Sequence, residues 1–373
     1  MNFLLVCGGT AGHINPALAI AIQLRRTVRN SKILFVGAGK DLEKKLIPLA
    51  GFHLVNIKMS GLKRGLSLSE LAYNLKTARN LTTAGIKAEK LLRRFKPDAV
   101  IGTGGYICYP ILKKASQMGI PTVIHGSDAI PGLTAKLLSA TVDKVLVSFP
   151  GLEKLYRKPE RVIFTGTPVR VGFRAQSEGD KTKRIGSKPL VLSFWGSQGA
   201  EKMNATISEF IKLNIDRGSF DHIHAAGSNE AIKEMKNRLA RLGAPGDLPE
   251  GIEMKEYIDD MPSVMAAADL VVCRAGASTL AELAAMGKPA VLVPSPYVTN
   301  NHQEENAKQL LKVGGAEVIL EKNCTGETLF DVVSSLLSNR DALERMSQAQ
   351  KALAAPDAVE RIIEVVMSLT IKN

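Results

Sequence analysis

The 373-residue sequence lacks the patterns that mark several common classes of protein. Its four cysteines, Cys7, Cys108, Cys273 and Cys324, have no metal-binding or redox spacing, so we expect reduced, packed thiols. No apolar run approaches the ~20 residues that span a bilayer. The first apolar segment, Phe3–Val6, continues directly into glycines without the features of a signal peptide. These absences favour a protein of the cytoplasmic compartment.

Two nucleotide-binding signatures are also missing. The first glycine turn, Gly8–Gly12, lacks the G-x-G-x-x-G order, and the second predicted strand ends at Val36–Gly39 without an acidic residue for a ribose. No glycine turn is followed by Lys-Ser or Lys-Thr, as a P-loop requires. The sequence therefore argues against a nicotinamide-dependent dehydrogenase and a P-loop phosphotransferase. No carboxylate pair has metal-ligand spacing either, so we expect neither a metal nor a cofactor.

Charge is distributed unevenly along the chain. The net charge is +13, but residues 1–170 carry 26 Lys and Arg against 9 Asp and Glu, whereas residues 171–373 carry 23 against 27. A basic first half indicates an anionic partner, either nucleic acid or an anionic membrane surface. No nucleic-acid-binding motif accompanies the charge. The segment Lys58–Leu68 mixes basic and apolar residues, which suits a membrane surface or an ordinary exposed loop.

What the sequence does contain is a repeated alternation of strands and helices. This pattern predicts an α/β fold with two parallel-sheet domains in series. The polar segment 174–188 reads as a linker, so we predict domains at 1–170 and 171–355. The final helix, about 356–373, is expected to pack back on the first domain, with Pro356 at its first position. Ligands are expected at the carboxyl ends of the strands, in a cleft that the two domains face.

The most informative stretch is 271–307, which reads as strand, tight turn, helix, strand and helix. Small residues from Arg274 to Thr279 let a backbone approach a ligand closely, and the following helix start suits a phosphate. Glu282, one turn inside that helix, suits the paired hydroxyls of a ribose instead. The combination predicts a nucleotide or nucleotide-sugar pocket.

Three further residues carry candidate chemistry. His13 stands where a glycine loop becomes a helix, a place where an imidazole can act as a general base or serve only hydrogen bonds. Ser197, in a third glycine turn, suits a diphosphate. Arg170, at the domain junction, could supply charge to that diphosphate or form a surface ion pair. His125, His222 and His224 follow or lie in strands, and no role is assigned to them.

Eight segments together make the chain resemble the MurG family of glycosyltransferases, which add N-acetylglucosamine to lipid-linked muramyl-pentapeptide. Each segment is weak alone, but their joint order along nearly the whole chain is specific. They are Gly8–His13, Gly102–Tyr106, Pro131–Thr134, Gly166–Arg170, Gly196–Ala200, Tyr257–Met261, Arg274–Glu282 and His302–Ala307.

The resemblance implies a GT-B architecture of two Rossmann-like domains and an inverting transfer from UDP-N-acetylglucosamine. It implies peptidoglycan synthesis, with roles in cell shape and division, at the cytoplasmic face of the inner membrane. Undecaprenyl-diphosphate-linked muramyl-pentapeptide would be the acceptor. By position, the resemblance assigns the diphosphate to Ser197 and Arg170, uracil to the Ile258 backbone, the ribose to Glu282 and the sugar to Gln303. The phosphate turn would be Ala277, Ser278, Thr279, Leu280 and Ala281, and the transfer site would be bordered by Thr10, Ala11, Gly12 and His13.

The sequence departs from the family pattern at three places. Gly126-Ser127-Asp128 replaces Glu-Gln-Asn, Trp195 replaces the first glycine of the donor turn, and Ala11 replaces a glycine. We therefore predict His13 as the catalytic base, with Asp128 as a weaker candidate. Three alternatives stay open: a related UDP-sugar transferase with another acceptor, a UDP-N-acetylglucosamine epimerase, and a binding protein without activity.

Overall fold

The computed structural model describes residues 1–57, 59, 83–170, 172–173, 188–196 and 198–371. The chain divides into two compact units. The first contains Met1–Arg170 and the C-terminal segment that begins at Ala355, and the second contains Val171–Ala354. Among the described residues, every helix is too short or too polar to cross a membrane.

The first unit is built on a seven-stranded sheet in the order β3-β2-β1-β4-β5-β6-β7. All six strand pairings are parallel. The strands are β1 (Asn2–Cys7), β2 (Lys32–Gly37), β3 (His53–Asn56), β4 (Ala99–Gly104), β5 (Thr122–Gly126), β6 (Lys144–Val147) and β7 (Val162–Phe164). The helices are α1 (Ala11–Thr27), α2 (Asp41–Leu49), α3 (83–95), α4 (Cys108–Gln117) and α5 (Leu133–Leu138).

Both faces of this sheet are buried, as the continuous apolar strands require. Along β1, Leu4 and Val6 join the core that α3, α4 and α5 cover. Phe3 and Leu5 point to the opposite face and pack with α1 and α2. The last helix of the chain, Ala358–Thr370, completes that second face through Ile362, Ile363 and Val366.

The second unit repeats the plan with a six-stranded parallel sheet in the order β10-β9-β8-β11-β12-β13. Its strands are β8 (Leu190–Phe194), β9 (Asp221–Ala225), β10 (Ile252–Lys255), β11 (Leu270–Cys273), β12 (Ala290–Leu292) and β13 (Ala316–Val318). Its helices are α6 (Glu201–Arg217), α7 (Asn229–Arg241), α8 (Met261–Ala267), α9 (Ala277–Met286), α10 (His302–Lys312), α11 (Gly326–Leu337) and α12 (Arg340–Leu353). The final helix, Ala358–Thr370, is α13.

The predicted α/β class and its two Rossmann-like parallel-sheet units are confirmed. Details of the ends differ. The apolar pattern of the sequence predicts a last strand near 317–320, whereas β13 ends at Val318 and the chain turns into a short 3₁₀ helix, Glu321–Asn323. Helix α13 begins at Ala358, two residues after Pro356, because Asp357 takes the N-cap position. The sequence also predicts a long amphipathic helix at about 69–95, of which only 83–95 is described. The segments Lys58–Leu68 and 174–188 lie outside the described residues apart from Met59 and Lys188.

Candidate active site

In each unit, two glycine turns meet where the strand order of the sheet reverses. In the first sheet β1 lies beside β4, and Cys7 pairs with Gly104 at their carboxyl ends. In the second, β8 lies beside β11, and Phe194 pairs with Cys273. Such switch points open a crevice at the carboxyl ends of strands, where ligands bind in open α/β sheets. Each unit therefore has one candidate half-site, and sequence motifs lie at both.

In the first unit, β1 runs through Gly8 and Gly9 into α1. Thr10 is the N-cap of that helix, and Ala11, Gly12 and His13 form its first turn. Gly9 has a φ of +90°, a conformation that glycine adopts without steric cost. The half-buried His13 ring packs against Gly104 of the neighbouring turn, where a Cβ would collide with it. The two turns are thus fitted to each other around the imidazole.

The tautomer of His13 follows from its hydrogen bond. Its Nδ1 lies 2.8 Å from the carbonyl oxygen of Gly8. Because a carbonyl can only accept, Nδ1 must carry the hydrogen, which leaves the Nε2 lone pair as the acceptor. The backbone of the same residue is held by Thr103, whose hydroxyl donates to the His13 carbonyl at 2.7 Å. The ring is therefore oriented as a general base needs to be.

His125 lies at the end of β5 and is almost fully buried. Its Nε2 lies 2.9 Å from the Gly166 carbonyl and its Nδ1 lies 3.3 Å from the Ser127 hydroxyl. Burial lowers the pKa of His125 to about 4, so the ring is neutral near pH 7. Asp128 is partly buried close enough to His125 to oppose that decrease electrostatically. His125 is thus held as a structural group.

In the second unit, α9 begins without a side chain at its cap, because Gly276 is the N-cap residue. The first-turn N–H groups of Ala277, Ser278 and Thr279 precede the intrahelical hydrogen-bond ladder, as at any helix start. Leu280 differs, since its N–H donates to the Gly276 carbonyl at 3.0 Å and its side chain is buried. Ala281 is partly buried. Helix starts of this kind are common sites for anions in proteins, and Leu280 supports the turn by packing.

Glu282 is buried in the second turn of α9, near the end of β11. Burial, and after it the Glu282 carboxylate, raises the pKa of the Cys273 thiol. The Glu282 carboxylate is thus near enough to Cys273, the last residue of β11, to act on its thiol electrostatically.

Of the four other residues predicted to contact the UDP-sugar, three lie in the described part of the chain. The side-chain oxygen of Gln303, in α10, accepts from the Ser295 N–H at 2.9 Å, so its amide nitrogen is the end that could reach a sugar. Ile258 lies buried in the loop from β10 to α8. Arg170 is the last residue of the first unit and is partly buried. Ser197 lies outside the described residues.

A buried ionic cluster beside the second switch point was not predicted. The Arg274 guanidinium donates to Glu321 at 2.6 Å and to the Val293 carbonyl at 3.0 Å. It also lies 5.6 Å from the centroid of the Trp195 ring, and Lys202 approaches Glu321 at 3.4 Å. The cluster joins the ends of β8, β11, β12 and β13. Its signal in the sequence is weak, because Glu321 is 47 residues from Arg274.

His222 and His224, to which the sequence assigns no role, form a second buried cluster. The Ser193 hydroxyl lies 2.8 Å from His222 Nε2 and 2.7 Å from His224 Nδ1. On the other side of His224, the Asn204 side-chain oxygen accepts from Nε2 at 3.2 Å, and the Asn204 amide nitrogen donates to the Ala226 carbonyl at 2.9 Å. Burial lowers the pKa of His224 to about 3, so the cluster is neutral. It fastens the start of α6 to the loop after β9.

Comparison with known proteins identifies the family. The Glycosyltransferase family 28 N-terminal domain matches residues 3–147 and the Glycosyltransferase family 28 C-terminal domain matches residues 190–362. An Acetivibrio thermocellus protein is 42% identical over 372 residues, 99% of this chain and 98% of its own length. It is named UDP-N-acetylglucosamine--N-acetylmuramyl-(pentapeptide) pyrophosphoryl-undecaprenol N-acetylglucosamine transferase. The crystal structure of Acinetobacter baumannii MurG is 26% identical, covers 98% of this chain and 99% of its own, and superposes with a TM-score of 0.76. The chain belongs to the MurG family of glycosyltransferases.

The MurG family shares its fold with enzymes of other reactions. A UDP-GlcNAc 2-epimerase from Neisseria meningitidis, solved with UDP-GlcNAc bound, covers the whole of both chains with a TM-score of 0.69. Its sequence identity is 15%, so that likeness concerns the fold alone. Because the fold is common to both kinds of enzyme, it is the sequence similarity that favours a transferase over the epimerase alternative.

At two of the positions where the sequence departs from the MurG-family pattern, the structure shows what packs against the replaced residue. At Gly126, where the family pattern has glutamate, a Cβ would lie 2.8 Å from the Tyr156 hydroxyl oxygen, so the phenol occupies that space. At the donor turn, Trp195 is almost fully buried and its ring is covered by the Arg274 guanidinium. Each change is therefore accommodated by packing. Nothing in the structure explains Ala11.

Proposed function

We propose that this protein is an inverting glycosyltransferase that moves N-acetylglucosamine from UDP-N-acetylglucosamine to the 4-hydroxyl of lipid-linked muramyl-pentapeptide. The observation that carries the proposal is the 42% identity, along 99% of the chain, to a relative named for that transfer. The two half-sites support it, because each contains the motifs that the reaction needs.

The reaction is a single displacement at the anomeric carbon of the donor. The muramyl 4-oxygen forms a bond to C1 while the bond from C1 to the β-phosphate oxygen of UDP breaks. The proton of the attacking hydroxyl passes to His13 Nε2, the ring nitrogen that the Gly8 hydrogen bond leaves as acceptor. Asp128 is the weaker candidate for this role. Negative charge develops on the leaving diphosphate, and the start of α9 and Arg170 would stabilise it.

The donor would bind through the second unit. We assign the diphosphate to the turn formed by Ala277, Ser278, Thr279, Leu280 and Ala281, with Ser197 from the preceding glycine turn. Glu282 would accept from the two ribose hydroxyls, the Ile258 backbone would contact uracil, and Gln303 would donate to the sugar. In the first unit, Thr10, Ala11 and Gly12 would border the transfer site next to His13.

A lipid-linked acceptor implies work at a membrane surface. The excess of Lys and Arg in residues 1–170 would attract the anionic cytoplasmic face of the inner membrane, with the protein bound peripherally. There the protein would act in cell wall biogenesis and so in cell shape and division, with no nucleic acid involved. We also propose that the domains fold as 1–170 with the C-terminal helix and as 171–355.

Transfer of label tests the function directly. Purified protein is incubated with UDP-N-acetylglucosamine labelled in the sugar and with muramyl-pentapeptide diphosphate lipid, and the lipid is extracted. We expect label in the lipid and release of one UDP for each sugar transferred. If the muramyl lipid stays unlabelled while a different acceptor takes up the label, the assignment of the acceptor is wrong. Conversion of the UDP-sugar without acceptor, followed by NMR, would indicate an epimerase.

A further inference from the structure

Glu43 is a fully buried carboxylate beside the first glycine turn. It lies in the first turn of α2, and its two oxygens accept hydrogen bonds from different places. Oε2 accepts from the N–H groups of Gly39 at 2.8 Å and Lys40 at 3.1 Å. Oε1 accepts from the N–H of Gly9 at 2.9 Å. Three charge-assisted hydrogen bonds thus hold this buried anion.

Capping of α2 accounts for only one of these oxygens. A glutamate at the third position of a helix commonly reaches back to the N-cap N–H, as Oε2 does here with Lys40. Oε1 instead bridges 34 residues to Gly9. Gly37 leaves room for the carboxylate, since a Cβ there would collide with Glu43 Oε2, whereas a Cβ at Gly8 would collide with Ile107. The hydrogen bond of Oε1 therefore fixes the loop that follows β1 and not the start of α2.

Gly9 N–H and Gly8 C=O are the two ends of one peptide group. Its N–H donates to Glu43, and its carbonyl oxygen lies 2.8 Å from His13 Nδ1. The carboxylate, the peptide group and the imidazole are thus connected in series. Hydrogen bonds in such a chain strengthen one another in a buried environment.

This peptide group needs an anchor, because glycines flank it on both sides. Rotation of a peptide plane changes ψ of one residue and φ of the next, and glycine tolerates nearly all such values. Gly9 already has a φ of +90°. Without a partner for its N–H, the plane could turn and direct the Gly8 carbonyl away from the imidazole. His13 would then keep at Nδ1 only the Thr10 hydroxyl, 3.4 Å away, which can donate as well as accept and so does not hold the hydrogen on Nδ1.

We propose that Glu43 is a positioning residue for His13: through the Gly8–Gly9 peptide group it fixes the Nδ1–H tautomer and leaves Nε2 free to receive the proton. The kinetic part of this inference rests on the proposed function, in which His13 is the base. The tautomeric part is independent of any activity.

Glu43→Gln is the most informative change, because the amide retains the size of the carboxylate. Its single oxygen can keep the two bonds to Gly39 and Lys40, and its NH₂ then faces the Gly9 N–H, a donor against a donor. In ¹⁵N-histidine-labelled protein at about pH 8.5, where an unperturbed imidazole is neutral, the ¹⁵N shifts report the tautomer of each ring. His13→Ala assigns the His13 signal among the six histidines.

We expect the Nδ1–H tautomer at His13 in the unmodified protein and a large Nε2–H fraction in Glu43→Gln. Asp143→Asn is the control, since Asp143 also accepts a backbone N–H, from Thr122 at 2.8 Å, at the opposite end of the sheet. It should leave the His13 spectrum unchanged. A predominantly Nε2–H ring in the unmodified protein, or an unchanged Nδ1–H ring in Glu43→Gln, overturns the proposal.

Kinetics with the muramyl lipid acceptor complete the test. Glu43→Gln should lower kcat roughly 10- to 100-fold, by analogy with the loss of a group that orients a metal-binding histidine, with KM for UDP-N-acetylglucosamine unchanged. A rise in that KM at constant kcat would contradict the positioning role. If the unmodified protein transfers no sugar but the tautomer responds to Glu43, the proposed function has failed and the positioning of His13 stands.

Discussion

The two switch points share one loop type but use it differently. In the first unit, the glycine turn is already committed to groups of the chain itself: the Gly9 N–H to Glu43 and the Gly8 carbonyl to His13. In the second unit, α9 begins at a glycine cap that offers no side chain to the helix start. A turn filled by an internal anion serves to orient a side chain, whereas a helix start without a side-chain cap suits an external anion.

The buried carboxylates beside the two switch points are also stabilised differently. Glu43 is held by three backbone N–H groups. Glu321 is held by the Arg274 guanidinium, with Lys202 at 3.4 Å. Backbone donors connect Glu43 to the conformation of a neighbouring loop, while a side-chain cation connects Glu321 to the stability of the sheet. The first arrangement is expected to influence turnover and the second to influence folding.

The largest effect is expected from His13→Ala. Loss of a general base should lower kcat by roughly 10²- to 10⁴-fold and leave the affinity for UDP unchanged. Label transfer to the muramyl lipid gives kcat, and calorimetry gives the affinity. His53→Ala, at an exposed position on β3, is the matched control and should behave as the unmodified protein. A kcat within about threefold of the original value would exclude His13 as the base.

Arg274→Met should destabilise the second unit by about 3–5 kcal/mol, because it leaves Glu321 buried without its guanidinium partner. Denaturant unfolding can be followed by the fluorescence of Trp195, the only tryptophan of the chain. Adding Glu321→Met should restore much of the loss, since no unpaired charge is then buried. If the double variant is as unstable as Arg274→Met, the ionic pair is not the origin of the effect.

Glu282→Gln should weaken UDP binding roughly ten- to hundredfold, since hydrogen bonds to a charged acceptor contribute about 1.5–3 kcal/mol. Turnover at saturating donor should change little, the reverse of the result at His13. The comparison of UDP with 2′-deoxy-UDP locates the effect. The unmodified protein should prefer the ribose, and the variant should lose most of that preference. A variant that discriminates as strongly as before would move Glu282 away from the sugar hydroxyls.

Much of the fold and part of the half-sites could be predicted because their signals are local. Alternating apolar segments such as Phe3–Val6 predict buried parallel strands, and glycine turns at their ends predict where ligands bind. Glu282 lies six residues after the N-cap Gly276, so its place in the second turn of α9 follows from helical spacing alone.

Contacts distant in sequence could not be predicted. Glu43 reads as an ordinary first-turn acid of α2, and only the sheet order β2-β1 brings it to Gly9. Arg274 was recognised as part of a turn, but its partner Glu321 follows β13, two strands away in the sheet. Such residues carry no spacing pattern, because the fold itself creates their proximity.

The smallest effect is expected at the other edge of the first half-site, where Gly126 meets Tyr156. The Tyr156 hydroxyl is buried without a hydrogen-bond partner in the described part of the chain, and burial raises its pKa. Tyr156→Phe removes that unsatisfied group and should be neutral or stabilise by about 1 kcal/mol.

Gly126→Ala alone should destabilise by about 1–3 kcal/mol, because its Cβ would lie 2.8 Å from the phenol oxygen. In the Tyr156→Phe background that cost should fall, and thermal unfolding of the four proteins measures the coupling. Independent, additive effects would show that the phenol is not what excludes a side chain at position 126.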